Sequence, residues 1–202
     1  RKQVLEKYPG LGPVLDKLAG KINDSIMTLL NYRVEYQNQN PEQVARDFLM
    51  AQGLYQSPRE GDKGIVRLGS KIFPEQYILT DMYAMLIRGY TDLRVESKTG
   101  LGGTKICFEA LTHDQIDMYP EYTGTALLAI LQTPPALAGR LAANRDSVYT
   151  YVRKRFDEDY DLSWLQPIGF NNAYALMMRR SQAQQLGIQT ISDLTNFLKT
   201  DR

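Results

Sequence analysis

The sequence has very little of the residues from which most catalytic and metal sites are built. Its 202 residues include one cysteine, Cys107, and one histidine, His113. A metal site needs a cluster of His, Cys and carboxylate ligands. A Ser-His-Asp or Cys-His arrangement would have to use His113, which has no partner at motif spacing. We therefore expect no metal, no cofactor and no enzymatic activity.

Two further absences narrow the class of protein. Lysine and arginine (24) nearly balance aspartate and glutamate (23), so the chain lacks the cationic excess on which nucleic-acid affinity depends. No window approaches 18 consecutive apolar residues, and the apolar runs are short, such as "ALLAIL" at 126–131. No membrane span is therefore predicted. The 43% hydrophobic and 23% charged content is typical of a globular domain.

The two scarce residues lie in surroundings that favour ordinary structural roles. Cys107 lies within "TKICFEAL", a helical-looking run in which a small apolar side chain fits. We expect it to be a buried packing thiol. His113 follows in the polar stretch "THDQ", and we expect a solvated loop histidine.

Residues 1–55 are predicted to be helical. In "NPEQVARDFLMAQGL", Asn40 is the expected N-cap, Pro41 the first helical residue and Gly53 the end of the helix. The polar stretch that follows, "QSPREGDKG" at 56–64, contains proline and two glycines and is predicted to be a linker.

From residue 65 onward, predicted strands and helices alternate, which is typical of an α/β domain with a mainly parallel sheet. Residues 65–180 are expected to form this lobe and to pack with residues 1–55 as one domain. The predicted strands are 65–70 and 92–100, residues 115–124 are predicted to be a strand that runs into a turn, and one or two more strands are predicted within 162–180. The predicted helices are 74–90, 102–113, 125–132, 145–160 and 181–198.

The glycine-rich turn "KTGLGGTK" (98–105) lies between a predicted strand and a predicted helix, where phosphate-binding loops also lie. Gly100 and Gly102 fit the pattern G-x-G-x-x-G, but Lys105 occupies the third glycine position. Two interpretations stay open. The turn either binds an anion at the helix N-terminus or is a tight connection that needs glycine for positive φ.

Tyrosine is abundant, with 13 tyrosines against 6 phenylalanines, and several lie near predicted strand ends and turns. Ligands of α/β sheets collect at the carboxyl ends of the strands, and an aromatic face attracts a cation. A quaternary ammonium suits such a site because it cannot donate hydrogen bonds and loses little on leaving water. The alternative is that these tyrosines form amphipathic edges of the core.

Four motifs in order resemble one family, the substrate-binding proteins of osmoprotectant ABC transporters, which bind glycine betaine, carnitine and choline. The motifs are "LGSKIFPEQYIL" (68–79), "KTGLGGTKICFEAL" (98–111), "IDMYPEYTGTALL" (116–128) and "PIGFNNAYALMMRR" (167–180), followed by "GIQTISDL". The resemblance implies a lobe of the periplasmic-binding-protein type II class, with a mainly parallel sheet flanked by helices.

The order of the segments departs from the family pattern. Residues 1–55 resemble the C-terminal end of the family, yet here they precede the segment that resembles its N-terminal part. The chain therefore looks like one lobe in circularly permuted order, with 56–64 joining the former ends. Such a connection is tolerated because the ends of a domain often lie close together on the surface, where a polar loop can bridge them. Residues 181–202 are expected to begin the missing second lobe or to form a terminal helix. A natural permutation, a junction of tandem domains and an engineered or excised lobe all stay open.

The resemblance also implies site residues. Lys71 is expected to meet the carboxylate of the ligand or to lie beside it, and Tyr122 and Tyr174 are expected to be two walls of an aromatic cage. Thr125 is expected to supply a hydroxyl. The further expected lining residues are Phe73 and Thr104, and the expected hinge residues are Asn171 and Asn172.

The predicted function is that of an extracytoplasmic solute-binding domain, which delivers a quaternary amine to an ABC permease. Its expected partners are the small amine, the permease and a second lobe or second chain that completes the site. Two alternatives stay open: a nucleotide-binding α/β enzyme that uses the 100–104 turn, and a sensory or interaction lobe that no longer binds a solute.

Overall fold

The computed structural model describes residues 1–173 and 175–200. The chain divides into two compact units, Arg1–Asn171 and Asn172–Arg202. The helices of the first unit are α1 (Lys2–Lys7), α2 (Leu11–Leu15), α3 (Asp24–Glu35), α4 (Pro41–Ala51), α5 (Pro74–Tyr90), α6 (Thr104–Thr112), α7 (Thr123–Thr125), α8 (Pro135–Ala142) and α9 (Arg145–Tyr160). Its strands are β1 (Ile65–Lys71) and β2 (Arg94–Gly102), and the second unit contains α10 (Arg180–Leu186) and α11 (Ile191–Thr200).

The sheet is parallel and small. The pairing of β1 with β2 begins with Ile65 opposite Arg94, and its register shifts between Gly69 and Lys71. On its other edge, β1 forms a single parallel bridge between Leu68 and Met118. The predicted α/β class with a parallel sheet is confirmed, because helix α5 connects the two parallel strands as a crossover requires.

Residues 115–124, predicted to be a strand that runs into a turn, form the parallel bridge at Met118 and then a loop. The backbone of Asp117 donates to the carbonyl of Arg67 at 2.8 Å, and Gly69 donates to the carbonyl of Met118 at 2.9 Å. Beyond this point the chain turns away from β1 and begins α7 at Thr123. The residues between the bridge and α7 therefore form a loop at the carboxyl end of β1.

The strands predicted within 162–180 do not form among the residues described there. The backbone of this segment instead finds partners at the ends of helices. Gln166 N donates to Asp16 Oδ1 at 3.1 Å, and Asn171 N donates to Asp24 Oδ1 at 2.6 Å. Because carboxylates satisfy these amides, no neighbouring strand is needed.

The helix predicted at 125–132 is also different. The short helix α7 continues into a π-helical turn at Ala126–Ile130, and Gln132 adopts a left-handed φ of 47°. Two prolines follow, at 134 and 135, and the second begins α8. The predicted helix therefore forms as far as Ile130 and ends at the left-handed Gln132, and a separate helix begins at Pro135.

One hydrophobic core joins the N-terminal helices to the sheet. Helix α5 is covered on most sides, because 12 of its 17 residues are buried. The core members from residues 1–55 include Leu11, Leu18, Ile22, Val44 and Leu49, each at most 1% exposed. The predicted N-cap is confirmed, since Asn40 Oδ1 accepts from Glu42 N at 2.8 Å.

A second cluster packs around α9. Phe156 is in edge-to-face contact with Trp164, with ring centroids 5.4 Å apart at 85°, and Phe108 meets Tyr160 in the same way at 5.0 Å. Cys107 is fully buried, as expected of a packing thiol. His113 is exposed, as expected of a loop histidine.

The second unit contains a well-formed helix start. Thr190 Oγ1 accepts from Asp193 N at 3.1 Å, while Asp193 Oδ2 accepts from Thr190 N at 2.8 Å. This reciprocal pair satisfies amides that the first turn of α11 leaves without helical partners. Gly187, with a φ of 64°, ends α10, because glycine adopts the left-handed conformation at little cost. The helical prediction for 181–198 therefore holds, with a break at this glycine.

Candidate functional site

The candidate site lies where β1 ends, beside the loop that follows Met118. Lys71 is the last residue of β1, and its ammonium forms an ion pair with the carboxylate of Glu121. The two side chains are only 4% and 6% exposed. Glu121 also accepts from Tyr119 Oη at 3.0 Å and from Tyr122 N at 2.7 Å. The loop is therefore tied to the strand by a buried and fully hydrogen-bonded carboxylate.

The first turn of α5 holds the hydroxyl of Tyr122. Tyr122 Oη donates to Glu75 Oε1 at 2.5 Å and accepts from Gln76 Nε2 at 3.0 Å. Both of these side chains are buried, and a carboxylate is favoured in the first turn of a helix by the helix dipole. Pro74 begins this helix directly after the extended Phe73. The strand-to-helix connection therefore places Lys71, Glu75 and Gln76 around one ring.

Aromatic rings surround Tyr122 on more than one side. Phe73 stacks with it, with centroids 6.4 Å apart and planes 17° apart. Phe170 meets it edge-to-face at 6.3 Å and 82°. Lys71 Nζ lies 4.7 Å from the ring centroid. An internal cation thus already contacts the ring of Tyr122, which is the interaction that a cationic ligand would use.

The formal charges of this cluster sum to minus one, because one lysine faces two buried glutamates, Glu75 and Glu121. Burial, and then the carboxylate of Glu121, raise the pKa of Tyr119 well above its ordinary value. Burial also raises the pKa of the nearby Cys107 thiol to about 11. Both groups therefore stay protonated near neutral pH, and neither is an activated nucleophile. The arrangement is suited to holding a cation.

The structure brings together only some of the predicted site residues. Lys71, Phe73 and Tyr122 lie in one cluster. Thr104 is the first residue of α6 and Thr125 the last of α7, and among the described residues neither side chain hydrogen-bonds to the cluster. Their roles stay predictions.

The remaining predicted residues lie near the boundary of the two units. The division falls between Asn171 and Asn172, where a hinge was predicted, and the amide of Asn171 is held by Asp24. Tyr174 lies outside the described residues. The hinge and the second cage wall therefore stay predictions.

Sequence reasoning missed several residues of the cluster. Glu121 could have been noticed, because it lies between two tyrosines in "YPEY". Glu75 and Gln76 could have been found as the polar first turn of the helix after Lys71. Asn31, whose Nδ2 donates to Glu75 Oε2 at 2.8 Å, comes from a segment that is distant in the sequence. Nothing in the local sequence indicates that contact.

The glycines of the turn 98–105 are needed for its backbone conformation. Gly100 and Gly102 have φ values of 70° and 144°, which other residues rarely adopt. A Cβ on Gly102 would lie 2.6 Å from Ile106 Cδ1. The amide of Gly100 donates to Ser70 Oγ at 3.0 Å, so that amide is already satisfied. These observations favour the tight-connection interpretation over the phosphate-loop interpretation.

Comparison with known proteins identifies the class. Residues 1–51 and 64–201 match the family described as the substrate-binding domain of ABC-type glycine betaine transport systems. The chain belongs to this family. Its members are substrate-binding proteins rather than enzymes, and the family agrees with the resemblance seen in the four motifs.

Several individual proteins are similar to part of the chain. A glycine-betaine-binding protein of Pseudomonas aeruginosa is 39% identical over 153 residues, which cover 74% of this chain and 43% of the relative. An ergothioneine transport permease/ergothioneine-binding protein of Helicobacter pylori is 33% identical over 149 residues, covering 72% of this chain and 25% of the relative. A solved structure, apo YehZ from Escherichia coli, is 27% identical with a TM-score of 0.49, covering 67% and 47% of the two chains.

The chain spans less than half the length of these relatives. None of the helices formed by residues 1–173 and 175–200 is long and apolar enough to cross a bilayer. In the same residues, no three His, Cys, Asp or Glu side chains are grouped so that they could hold a metal ion.

Proposed function

We propose that this chain is the solute-binding domain of an ABC importer, and that it captures a quaternary ammonium osmoprotectant and passes it to the permease. The observation that carries the proposal is the cluster at the end of β1, in which Tyr122 is held by its hydroxyl and contacted by Lys71 and Phe73. Family membership supports the same class of function.

The physical basis is cation–π attraction reinforced by charge. A quaternary ammonium over a tyrosine face gains about 1–2 kcal/mol when the site is desolvated. Because Glu75 and Glu121 outnumber Lys71, the surroundings of the ring carry a net negative formal charge that also favours a cation. The hydroxyl contacts keep the ring in place, so little ordering is required on binding.

The ligand is proposed to be glycine betaine, choline or carnitine. The Pseudomonas relative is named for glycine betaine and the Helicobacter relative for ergothioneine, so ergothioneine belongs in the ligand series. Lys71 donates to Glu121 through one of the three hydrogens of its ammonium. A second hydrogen is proposed to meet the carboxylate of a zwitterionic ligand.

The test is calorimetric titration of Tyr122 variants with the four ligands. Tyr122→Ala should weaken binding of the preferred ligand about 5- to 30-fold, as expected for the loss of a desolvated cation–π contact. Tyr122→Phe should lose less, because it keeps the ring and lacks only the hydroxyl. Tyr36→Ala is the control, because Tyr36 is 75% exposed. An unchanged affinity in Tyr122→Ala would show that the cage is assigned to the wrong residue.

We propose further that the chain is one lobe in permuted order, in an extracytoplasmic protein whose second lobe closes the site. The family match supports this by falling into two segments that leave out residues 52–63. The shared core of the N-terminal helices and the sheet is also compatible with it. The test is to move residues 1–51 to the C-terminal end through a short linker. The relinked chain should keep the ligand affinity and the unfolding midpoint of the original order.

A further inference from the structure

We infer that Asn31 is a positioning residue for the ligand-binding ring, and that it acts through Glu75. This inference rests on the proposed function at the Tyr122 site. Asn31 belongs to α3, within residues 1–55, and it reaches the site from outside the strand-to-helix connection that supplies Lys71 and Glu75. Its side-chain amide donates from Nδ2 to Glu75 Oε2 at 2.8 Å.

Among the residues that the structure describes, Asn31 and Tyr122 each donate to one oxygen of the Glu75 carboxylate. The oxygen that Asn31 does not contact, Oε1, accepts from Tyr122 Oη at 2.5 Å. The carboxylate is 6% exposed, and a hydrogen bond to a buried charged acceptor is stronger than one between neutral groups. The orientation of Glu75, and with it the position of the Tyr122 hydroxyl, therefore depends on the donor from Asn31.

The other end of the Asn31 amide shows which of its atoms matters. Asn31 Oδ1 is buried, and no donor among residues 1–173 and 175–200 reaches it. A buried acceptor without a partner costs free energy. The opposite orientation of the amide would face Oδ1 toward the Glu75 carboxylate and place two acceptors in contact. The donor to Glu75 is therefore the interaction that fixes this side chain.

The sharpest perturbation is Asn31→Asp, which keeps the shape and exchanges the donor for a second carboxylate. Two carboxylates at hydrogen-bond distance cannot both be ionised without strong repulsion, so the pair must share a proton or separate. At pH 7.5 we expect the preferred ligand, chosen from glycine betaine, choline and carnitine, to bind about tenfold more weakly than to the unaltered protein, because displacement of the Tyr122 ring outweighs the attraction of the added negative charge. At pH 5 most of this loss should disappear, because a shared proton restores a hydrogen bond to Glu75.

Two further variants control this experiment. Asn31→Ala removes the donor without adding charge, and it should weaken binding at both pH values alike. Asn38→Asp makes the same chemical change on an exposed residue whose φ of 53° suits aspartate as well as asparagine. It should leave affinity unchanged at both pH values. Equal affinities of Asn31→Asp and the unaltered protein at pH 7.5, or a loss that does not depend on pH, would overturn the inference.

A second readout needs no ligand and separates this inference from the proposed function. With 3-fluorotyrosine incorporated, the ¹⁹F resonance of Tyr122 is assigned by its absence in Tyr122→Phe. In Asn31→Asp it should move at pH 7.5 and return toward its original position at pH 5. If the resonance responds in this way but the unaltered protein binds none of glycine betaine, choline and carnitine, the proposed function fails while the coupling through Asn31 stands. A resonance that stays fixed in Asn31→Asp overturns the coupling.

Discussion

The buried ion pair between Lys71 and Glu121 should contribute to stability as a pair, so that removing one member is far more costly than removing both. The side chains are 4% and 6% exposed, and Glu121 additionally accepts from Tyr119 Oη and Tyr122 N. Lys71→Met leaves this carboxylate buried without its cation. Breaking a buried pair in this way costs about 3–5 kcal/mol.

The double variant Lys71→Met/Glu121→Gln should recover much of that loss. A glutamine carbonyl still accepts from Tyr119 or from the amide of Tyr122, and no uncompensated charge is left inside. For the double variant to cost less than Lys71→Met, the coupling energy of the double-mutant cycle must exceed the cost of Glu121→Gln alone, so it should reach at least about 3 kcal/mol, the upper end of the range measured for residues in direct contact. A site assembled around an ion pair thus predicts strong non-additivity.

Urea unfolding followed by tryptophan fluorescence measures this directly, because Trp164 is the only tryptophan and packs against Phe156 in the same unit. The control is Lys154→Met. Lys154 and Glu158 form a largely exposed ion pair with a distance of 3.8 Å, so this change should alter the free energy of unfolding by less than about 0.5 kcal/mol. The reasoning is refuted if Lys71→Met costs no more than Lys154→Met, or if the two single changes add in the double variant.

Three other outcomes follow from the structure. Burial raises the pKa of Asp81 to about 6, so ionisation of Asp81 destabilises the folded state increasingly between about pH 4 and pH 6. In urea unfolding, Asp81→Asn should therefore raise the free energy of unfolding by about 1 kcal/mol at pH 7.5 and leave it unchanged at pH 4. Asn144→Ala should lower the free energy of unfolding by about 1 kcal/mol, because Asn144 Oδ1 accepts from Asp146 N at 2.8 Å and caps α9. An unchanged unfolding midpoint would contradict this. Gly102→Ala should lower the free energy of unfolding by about 1–3 kcal/mol, because a φ of 144° strains any residue other than glycine and the added Cβ would meet Ile106. An unchanged free energy of unfolding would exclude backbone strain at this turn.

The parts of the fold that depend on local signals could be predicted from the sequence. The N-cap at Asn40, the proline start of α5 and the strand at 65–71 all follow from residue types at neighbouring positions. The point within 115–124 at which the strand gives way to the turn could not be predicted, because it depends on whether a partner strand continues beside it. The bridge at Met118 ends where the backbone turns away.

Some residues of the candidate site could be predicted from the sequence and others could not. Tyr122 and Lys71 were found through the resemblance of their motifs, and Phe73 lies with them. The pairing of Lys71 with Glu121 was not foreseen, because an ion pair between distant positions of the chain leaves no spacing signal. The contact from Asn31 is of the same kind. The motifs therefore indicated Tyr122 as a candidate, whereas the groups that hold its ring in place could be seen only in the three-dimensional arrangement.

The central claim is that the positive charge of the solute is recognised by an aromatic face. The most direct test compares glycine betaine with 3,3-dimethylbutanoate, which keeps the shape and the carboxylate but replaces the charged nitrogen by carbon. Both are titrated calorimetrically into the protein. The account predicts that glycine betaine binds about 5- to 30-fold more tightly, corresponding to about 1–2 kcal/mol for the cation. Equal affinities, or tighter binding of the isostere that lacks the cation, would contradict it.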